Sequence, residues 1–243
     1  MYILYPSWPY LLYDVPTLFF GDPDMISKLP KWVEYGAFTL AFLAGCINVV
    51  GLLGFQHQAV SHLSGTATLL GSSLLSLSTH SGHLLAVLVS FVMGSMISGL
   101  LLSSSSLKLG RHYDSLLIIE AALLLSALYF LQDGSAFGHY LASAACGLQN
   151  ALVTKYSGAV IRTTHMTGIF TDLGLMLGAA LRKEPFDQRQ FILFMVIIVG
   201  FISGGSIGAL FYSHYQLDTL VIPIIICLIL ALAYRVYWLR SQR

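Results

Sequence analysis

The chain has 243 residues, of which 56% are hydrophobic and only 9% are charged, and its mean hydropathy is +0.78. This composition excludes an ordinary soluble domain and is typical of an integral membrane protein. Twelve Lys and Arg residues nearly balance eleven Asp and Glu residues, and the basic residues are scattered, so no nucleic-acid partner is expected.

The N-terminal segment, residues 1–30, is rich in Tyr, Trp and Phe and is interrupted by several prolines. It lacks the basic region with which a secretory signal peptide begins. We expect an interfacial or disordered segment there, followed by a single transmembrane domain over residues 31–240.

Six apolar segments are long enough to cross a bilayer of about 30 Å as helices. They are residues 33–54, 84–105, 115–132, 137–154, 190–212 and 219–239. Two further segments, 57–79 and 160–181, carry clusters of Ser, Thr, His and Gly near their starts. Each of these two either spans the membrane or enters and leaves on the same side.

The placement of basic residues favours re-entry, because cytoplasmic loops collect Lys and Arg. If both polar segments re-enter, all twelve basic residues lie on the side of the two termini. If both span, four of the twelve lie on the other side. We therefore predict an all-α integral membrane protein with six transmembrane helices plus two re-entrant or broken helices, and with both termini in the cytoplasm.

The two halves of the predicted domain repeat one sequence unit. GCIN at 45–48 matches GLQN at 147–150, and SHLSGTATLLG at 61–71 matches THMTGIFTDLG at 164–174. In the next helix Gly94 and Gly99 match Gly200 and Gly205. With three spans in each unit, the copies at 33–132 and 137–239 form inverted repeats, an arrangement typical of secondary transporters and some channels.

The same motifs carry a resemblance to a known family. AGCINVVG followed by VSHLSGTATLLG, and GLQNALVTKYSG followed by VIRTTHMTGIFTDLG, resemble the YoaK family over about residues 33–239. That family consists of mostly bacterial membrane proteins and is catalogued as a domain of unknown function. The resemblance implies a multi-pass protein of the bacterial plasma (inner) membrane and names no substrate.

The repeated motif predicts a solute site where the two broken helices meet. A helix N-terminus offers unpaired N–H groups and a partial positive charge, and the motif hydroxyls are suited to capping it. Alternatively the hydroxyls and glycines only cap and pack helices, and the two asparagines satisfy the broken backbone. The predicted substrate-binding residues are Ser61, His62, Ser64, Gly65, Thr68 and Asn48 in the first copy, and Thr164, His165, Thr167, Gly168, Thr171 and Asn150 in the second.

Candidates for proton or ion coupling are Asp172, His62 and His165. A carboxylate at membrane depth is costly and often marks an ion path, although Asp172 could instead pair with Arg162 or Arg182. Each histidine could instead fix its own loop through a neighbouring carbonyl. Glu120 lies about two turns into its helix and is expected to snorkel to the interface.

The sequence supports one leading prediction of function and leaves two alternatives. We predict a transporter or channel for a small polar, anionic solute, with or without proton coupling through those residues. One alternative is an intramembrane enzyme that acts on a lipid or small metabolite with His62 or His165 as base, and the other is a non-transporting membrane adaptor. The polar set is largely duplicated, which argues against an enzyme because catalysis usually makes repeated halves unequal.

The remaining expectations concern cofactors and partners. Cys46, Cys146 and Cys227 lie in apolar segments without metal-ligand spacing, so neither a metal nor another cofactor is expected. The expected partners are the lipid bilayer and a small-molecule solute. The sequence leaves open whether the chain forms a homo-oligomer.

Overall fold

The computed structural model describes residues 32–54, 58–74, 79–102, 112–157 and 162–241. The regular secondary structure of these residues is helical, as predicted, and the N-terminal segment 1–30 lies outside them. The helices are α1 (Trp32–Leu53), α2 (Leu63–Ser73), α3 (Thr79–Leu101), α4 (Tyr113–Gln132), α5 (Phe137–Tyr156), α6 (Met166–Leu181), α7 (Gln188–Tyr215) and α8 (Val221–Ser241), with a 3₁₀ turn (Gln216–Leu220) before α8.

Four helical stretches of the described chain are long and apolar enough to cross a membrane, and they indicate a membrane protein. They are Trp32–Leu53, His80–Leu101, Tyr113–Gln132 and Gln188–Arg240, the last of which has 53 residues and contains both α7 and α8. Helix α5 is the least apolar of the long helices, and much of it is buried in the bundle. A helix that is enclosed by protein does not need an apolar surface all round.

The direction of each long helix follows from contacts at the helix ends. At one end, which we call the Trp32 end, the Trp32 ring lies 5.9 Å from the Tyr156 ring, and Tyr113 lies 5.8 Å from Tyr156. Arg189 Nε lies 4.0 Å from Glu34 Oε1 at the same end. Helices α1, α4 and α7 therefore begin at the Trp32 end, and α5 ends there.

The other end of the bundle, which we call the Gln132 end, joins the remaining termini. The Gln132 side-chain amide donates to Asp218 Oδ1, so α4 ends close to where α8 begins. His83 Nδ1 lies 3.0 Å from the Tyr140 hydroxyl, so α3 and α5 begin side by side. Consecutive long helices consequently alternate in direction, whereas α1 runs parallel to α7 and α3 runs parallel to α5.

These two parallel pairs cross at glycines in the same way. A Cβ atom on Gly45 would overlap the carbonyl oxygen of Phe201, and one on Gly204 would overlap that of Phe42, where α1 meets α7. The backbones approach so closely that no side chain fits between them. Small residues at membrane helix crossings commonly permit such contacts.

The crossing of α3 with α5 repeats this geometry. It also corrects the sequence match that paired Gly94 with Gly200. A Cβ atom on Gly147 would overlap the carbonyl oxygen of Phe91, and one on Gly94 would overlap that of Ala144. Gly94 therefore has the place that Gly204, rather than Gly200, has in the other crossing. Sequence comparison could not fix this register, because several glycines follow one another in α7.

The two polar segments contain short helices. Helix α2 has 11 residues, fewer than a membrane span requires, and α6 has 16. Helix α2 ends near the Gln132 end, where Ser81 Oγ donates to the carbonyl oxygen of Ser73 over 2.9 Å. Helix α3 begins at Thr79, before the predicted position 84, because its polar first turns find partners such as this one and the bond between His83 and Tyr140.

Candidate functional site

A cavity of about 950 Å³ brings the two copies of the motif together. Its described walls include residues 61–64 at the start of α2 and residues 164–167 at the start of α6. Between these segments the walls are formed by Phe91, Ser95 and Gly99 of α3, by Asn150, Ala151, Thr154 and Lys155 of α5, and by Arg162. The segments that sequence comparison matched therefore face one space.

In the first copy, Asn48 fixes the approach to α2. Its Oδ1 atom accepts hydrogen bonds from the Ser61 backbone N–H (3.3 Å) and from the Ser61 hydroxyl (2.9 Å). Both residues are buried, and Asn48 lies behind Ser61, outside the described lining of the cavity. The carboxamide thus satisfies the broken backbone, which is the structural alternative considered for it.

The second copy uses its asparagine differently. Asn150 lines the cavity, and its Oδ1 atom is buried without a hydrogen-bond partner among the described residues. Thr164, the counterpart of Ser61, is also buried. The two copies therefore differ at this position, and the second leaves a buried amide oxygen without a hydrogen-bond partner among the described residues.

Both short helices begin at a histidine, not at a hydroxyl residue. His62 and His165 are the N-cap residues of α2 and α6, and neither makes a side-chain capping hydrogen bond. The expectation that Ser or Thr hydroxyls cap these helices is therefore wrong for the described termini. Within the described part of the chain, neither N-cap side chain pairs with the first backbone N–H groups of its helix, and the residues of both starts line the cavity.

The histidines are held by different neighbours. The His62 ring meets the Phe201 ring edge-on, with centroids 5.5 Å apart. The His165 ring lies against Gly168, where a Cβ atom would overlap ring atoms Cδ2 and Nε2. Glycine is thus required at 168 to keep the imidazole in place, whereas a Cβ atom on Gly65 would meet open space.

Besides Asn48, three of the predicted polar residues lie outside the described lining of the cavity. The Thr68 and Thr171 hydroxyls each donate to a carbonyl oxygen one turn earlier, those of Ser64 and Thr167, over 2.9 Å. Asp172 is exposed on α6. Its proposed partner Arg182 instead binds Glu184, with the guanidinium 2.7 and 2.9 Å from the two carboxylate oxygens.

Two basic residues on the cavity wall were not predicted as site residues. Lys155 lies in the last turn of α5, and Arg162 precedes α6. The described lining contains no Asp or Glu.

Two other observations bear on chemistry at this site. Among the described residues, no group of three or more His, Cys, Asp or Glu side chains is arranged to hold a metal ion. The run Gly204-Gly205-Ser206-Ile207-Gly208 has the letters of a GxSxG nucleophile motif, but it lies inside α7. A nucleophile elbow requires a strand-to-helix turn, so this run is a packing segment.

The comparisons with known proteins identify a family. The family model described as "Protein of unknown function (DUF1275)" matches residues 36–233. The chain belongs to this family. The match confirms the relationship that the duplicated motifs indicated, and it covers all the described lining of the cavity. No curated protein and no solved structure is significantly similar to this DUF1275 chain.

Proposed function

We propose that the chain is a transporter or channel for a small polar anion, which binds in the cavity between the two motifs. The observation that carries the proposal is that two uncapped helix N-termini, Lys155 and Arg162 share one cavity whose described lining has no carboxylate. Each terminus contributes about half a positive charge and free N–H donors. The summed field attracts anions and repels cations.

The polar groups of the cavity suit an oxyanion. Ser64, Thr164 and Thr167 offer hydroxyl donors near the two termini, and the basic side chains can form charge-assisted hydrogen bonds. The volume of about 950 Å³ is far larger than the share of one water molecule, which is about 30 Å³. A carboxylate or phosphate with a small organic body therefore fits the space as well as an inorganic anion.

The proposed topology has six membrane-spanning helices and two re-entrant half-helices. The alternation of the long helices supports it, because α1 ends and α3 begins at the Gln132 end, while α5 ends and α7 begins at the Trp32 end. Helices α2 and α6 must then each connect two termini on one side. Irregular backbone at membrane depth requires such a protein-lined polar cavity.

The inverted repeat is part of the same proposal. A two-fold axis in the membrane plane exchanges α1 with α5 and α3 with α7, and it therefore exchanges the two glycine crossings. Their matching contacts, Gly45 with Phe201 and Gly147 with Phe91, support this relation. Solute sites of inverted-repeat transporters lie near such an axis.

We place the Trp32 end in the cytoplasm of a bacterial cell. Described basic residues concentrate there, among them Lys155, Arg182, Arg189 and Arg235, whereas Asp133 and Asp218 lie at the Gln132 end. Cytoplasmic loops carry this excess of positive charge. Both termini of the membrane domain are then cytoplasmic.

Cysteine accessibility in intact cells tests the topology. Single cysteines are placed in 55–60, 79–83, 156–161 and 184–188 in a cysteine-free background and exposed to a membrane-impermeant maleimide. We expect the first two segments to be labelled from outside and the last two only after the cells are opened. Labelling of 55–60 and 79–83 from opposite sides would show that the first polar segment spans, and would refute the inverted arrangement.

Flux into proteoliposomes tests the function. Purified protein is reconstituted, and entry of nitrate, lactate and phosphate is compared with entry of choline and glycerol. We expect anions to enter faster than into protein-free liposomes and to be recovered chemically unchanged, which also separates transport from an enzymatic role. Equal entry of choline or glycerol would contradict an anion-selective site.

Substitutions of the basic residues on the cavity wall test whether the anion binds in this cavity. A charge-assisted hydrogen bond contributes about 1.5–3 kcal/mol, so Arg162→Ala and Lys155→Ala should each weaken apparent anion affinity by about tenfold to a hundredfold. Arg240→Ala removes a basic residue near the same end but outside the described lining, and should leave the affinity unchanged. Equal effects of all three would indicate that only the net charge of that face matters.

A further inference from the structure

Glu120, in the middle of the bundle, has an unusual position for a carboxyl group. Its side chain is 0% exposed, and the expectation that it snorkels to the interface is wrong. Neither carboxyl oxygen has a nitrogen or oxygen hydrogen-bond partner among the described residues. The acid is therefore enclosed by the protein and not held by a polar network.

The surroundings of Glu120 contain thiols and hydrocarbon. The described titratable groups that face it are Cys227 on α8, whose thiol interacts with the carboxyl group, and Cys146 on α5. Buried alanine and leucine side chains of α4 and α5, including Ala121 and Leu124, complete the cluster. No cation is among these neighbours.

The ion pairs of the described chain engage other carboxylates. Arg235 binds Asp114 over 3.1 Å, Arg189 lies beside Glu34, and Arg182 binds Glu184. An ionised Glu120 would thus be a buried charge without a counter-charge, which is strongly unfavourable. The stable form at this position carries a proton, and the charged form requires water or another conformation.

Glu120 is linked to the cavity through α5. Cys146, which faces Glu120, lies one turn before Asn150, and Asn150 lines the cavity. Lys155 on the same helix also lines it. A change at the carboxyl group that alters the packing of α4 on α5 therefore reaches the wall of the proposed anion site.

We propose that Glu120 is a buried proton-binding site whose protonation and deprotonation accompany anion movement through the cavity. In the release step the carboxyl O–H bond breaks, and the proton passes to water that enters between α4, α5 and α8. In the uptake step an O–H bond of hydronium breaks and the carboxyl O–H bond forms again. The proposal rests on the proposed function for its coupling, whereas the proton site itself does not depend on it.

Glu120 replaces Asp172 as the carboxyl group expected to carry the proton. Asp172 is exposed on α6 and lies outside the described lining of the cavity, so the protein does not enclose it. Glu120 cannot exchange its proton unless the bundle opens. Coupling requires an enclosed group such as Glu120, because the protonation state of an enclosed group depends on the conformation of the protein.

Infrared spectroscopy of the reconstituted full chain tests the proton site without a solute. Wild type should show a protonated-carboxyl C=O band at neutral pH that Glu120→Gln lacks and Asp172→Asn retains. The band should decrease reversibly as the pH is raised and should shift in D₂O. Absence of the band at neutral pH, or a band that neither titrates nor shifts in D₂O, would overturn the proposal. Size-exclusion chromatography and thermal unfolding verify that Glu120→Gln is folded.

Proteoliposomes loaded with a pH-sensitive dye test the coupling, with nitrate, lactate and phosphate as probes. Glu120→Gln should abolish proton movement driven by an anion gradient and retain exchange of labelled anion, whereas Asp172→Asn should retain both. Proton movement at the wild-type rate in Glu120→Gln would overturn the coupling and leave the proposed function standing. A titrating band in a wild-type protein that moves no anion would refute the proposed function and support the proton site alone.

Discussion

The crossing of α3 with α5 allows a sharp test because two glycines of α3 have opposite surroundings. A Cβ atom on Gly94 would overlap the carbonyl oxygen of Ala144, whereas one on Gly99 would meet nothing within 4 Å. Gly94→Ala should therefore destabilise the protein, and Gly99→Ala is its matched control. Both substitutions add one methyl group to the same helix.

The expected loss of stability follows from the hydrogen bonds and the close packing at the crossing. Ser95 Oγ donates to the carbonyl oxygen of Gly147 over 3.0 Å, and Ser98 Oγ donates to that of Leu148 over 2.7 Å. If a methyl group at 94 separates the helices, both bonds weaken, and each contributes about 0.6 kcal/mol in a membrane protein. Overpacking costs about 1–3 kcal/mol in addition. After the gain of about 0.5–1 kcal/mol from alanine in a helix is subtracted, Gly94→Ala should lower the free energy of unfolding by about 1–4 kcal/mol.

Equilibrium unfolding in mixed micelles measures this difference. Gly99→Ala should unfold at the same or higher denaturant concentration than wild type, because alanine favours a helix by about 0.5–1 kcal/mol over glycine. A Gly94→Ala protein within about 0.5 kcal/mol of wild type would refute the close crossing. Equal losses in both variants would show that the cost arises from the helix itself and not from the contact.

Three further predictions concern the walls and ends of the bundle. Asn48→Ala should lower the free energy of unfolding by about 1–3 kcal/mol because Ser61 loses the acceptor of two hydrogen bonds, and a loss no larger than that of Asn150→Ala in the same unfolding assay would contradict this role. Gly168→Ala should displace the His165 imidazole and change anion flux, while Gly65→Ala, which adds its methyl group in open space, should not; equal flux in both variants would show that the ring position does not matter. Arg235→Ala should cost about 1–3 kcal/mol in thermal or chemical unfolding because it leaves the largely buried Asp114 carboxylate unpaired, and adding Asp114→Asn should recover most of the loss.

The sequence predicted the elements of the site better than their chemistry. Duplication of the motif indicated that residues near Ser61 and Thr164 would face each other, and both line one cavity. The hydroxyls were assigned to capping because Ser and Thr are common N-caps, but histidines have that position. Local propensity cannot reveal this, since the start of each helix is set by where the preceding segment is anchored.

Residues that contribute through tertiary packing were the hardest to predict. Lys155 was interpreted only as a marker of the cytoplasmic side, because its sequence position near the end of α5 does not reveal that a cavity reaches it. Glu120 was expected to reach the interface, but helices α5 and α8 cover it completely. Both cases depend on which helix lies beside which, and the hydropathy of a single segment carries no such information.

The polar character of α5 has a consequence for how the protein enters the membrane. Ser143 and Gln149 on this helix donate to backbone carbonyl oxygens of other segments, those of Val87 and Leu40 among them, and both are fully buried. Before those segments are in place, the same groups would face lipid without partners, so α5 alone is a poor substrate for the insertion machinery. Helix α4 precedes it by a short turn and is strongly apolar. During biosynthesis the two helices should therefore be integrated as one hairpin, with α5 retained at the insertion machinery until α1 and α3 shield it.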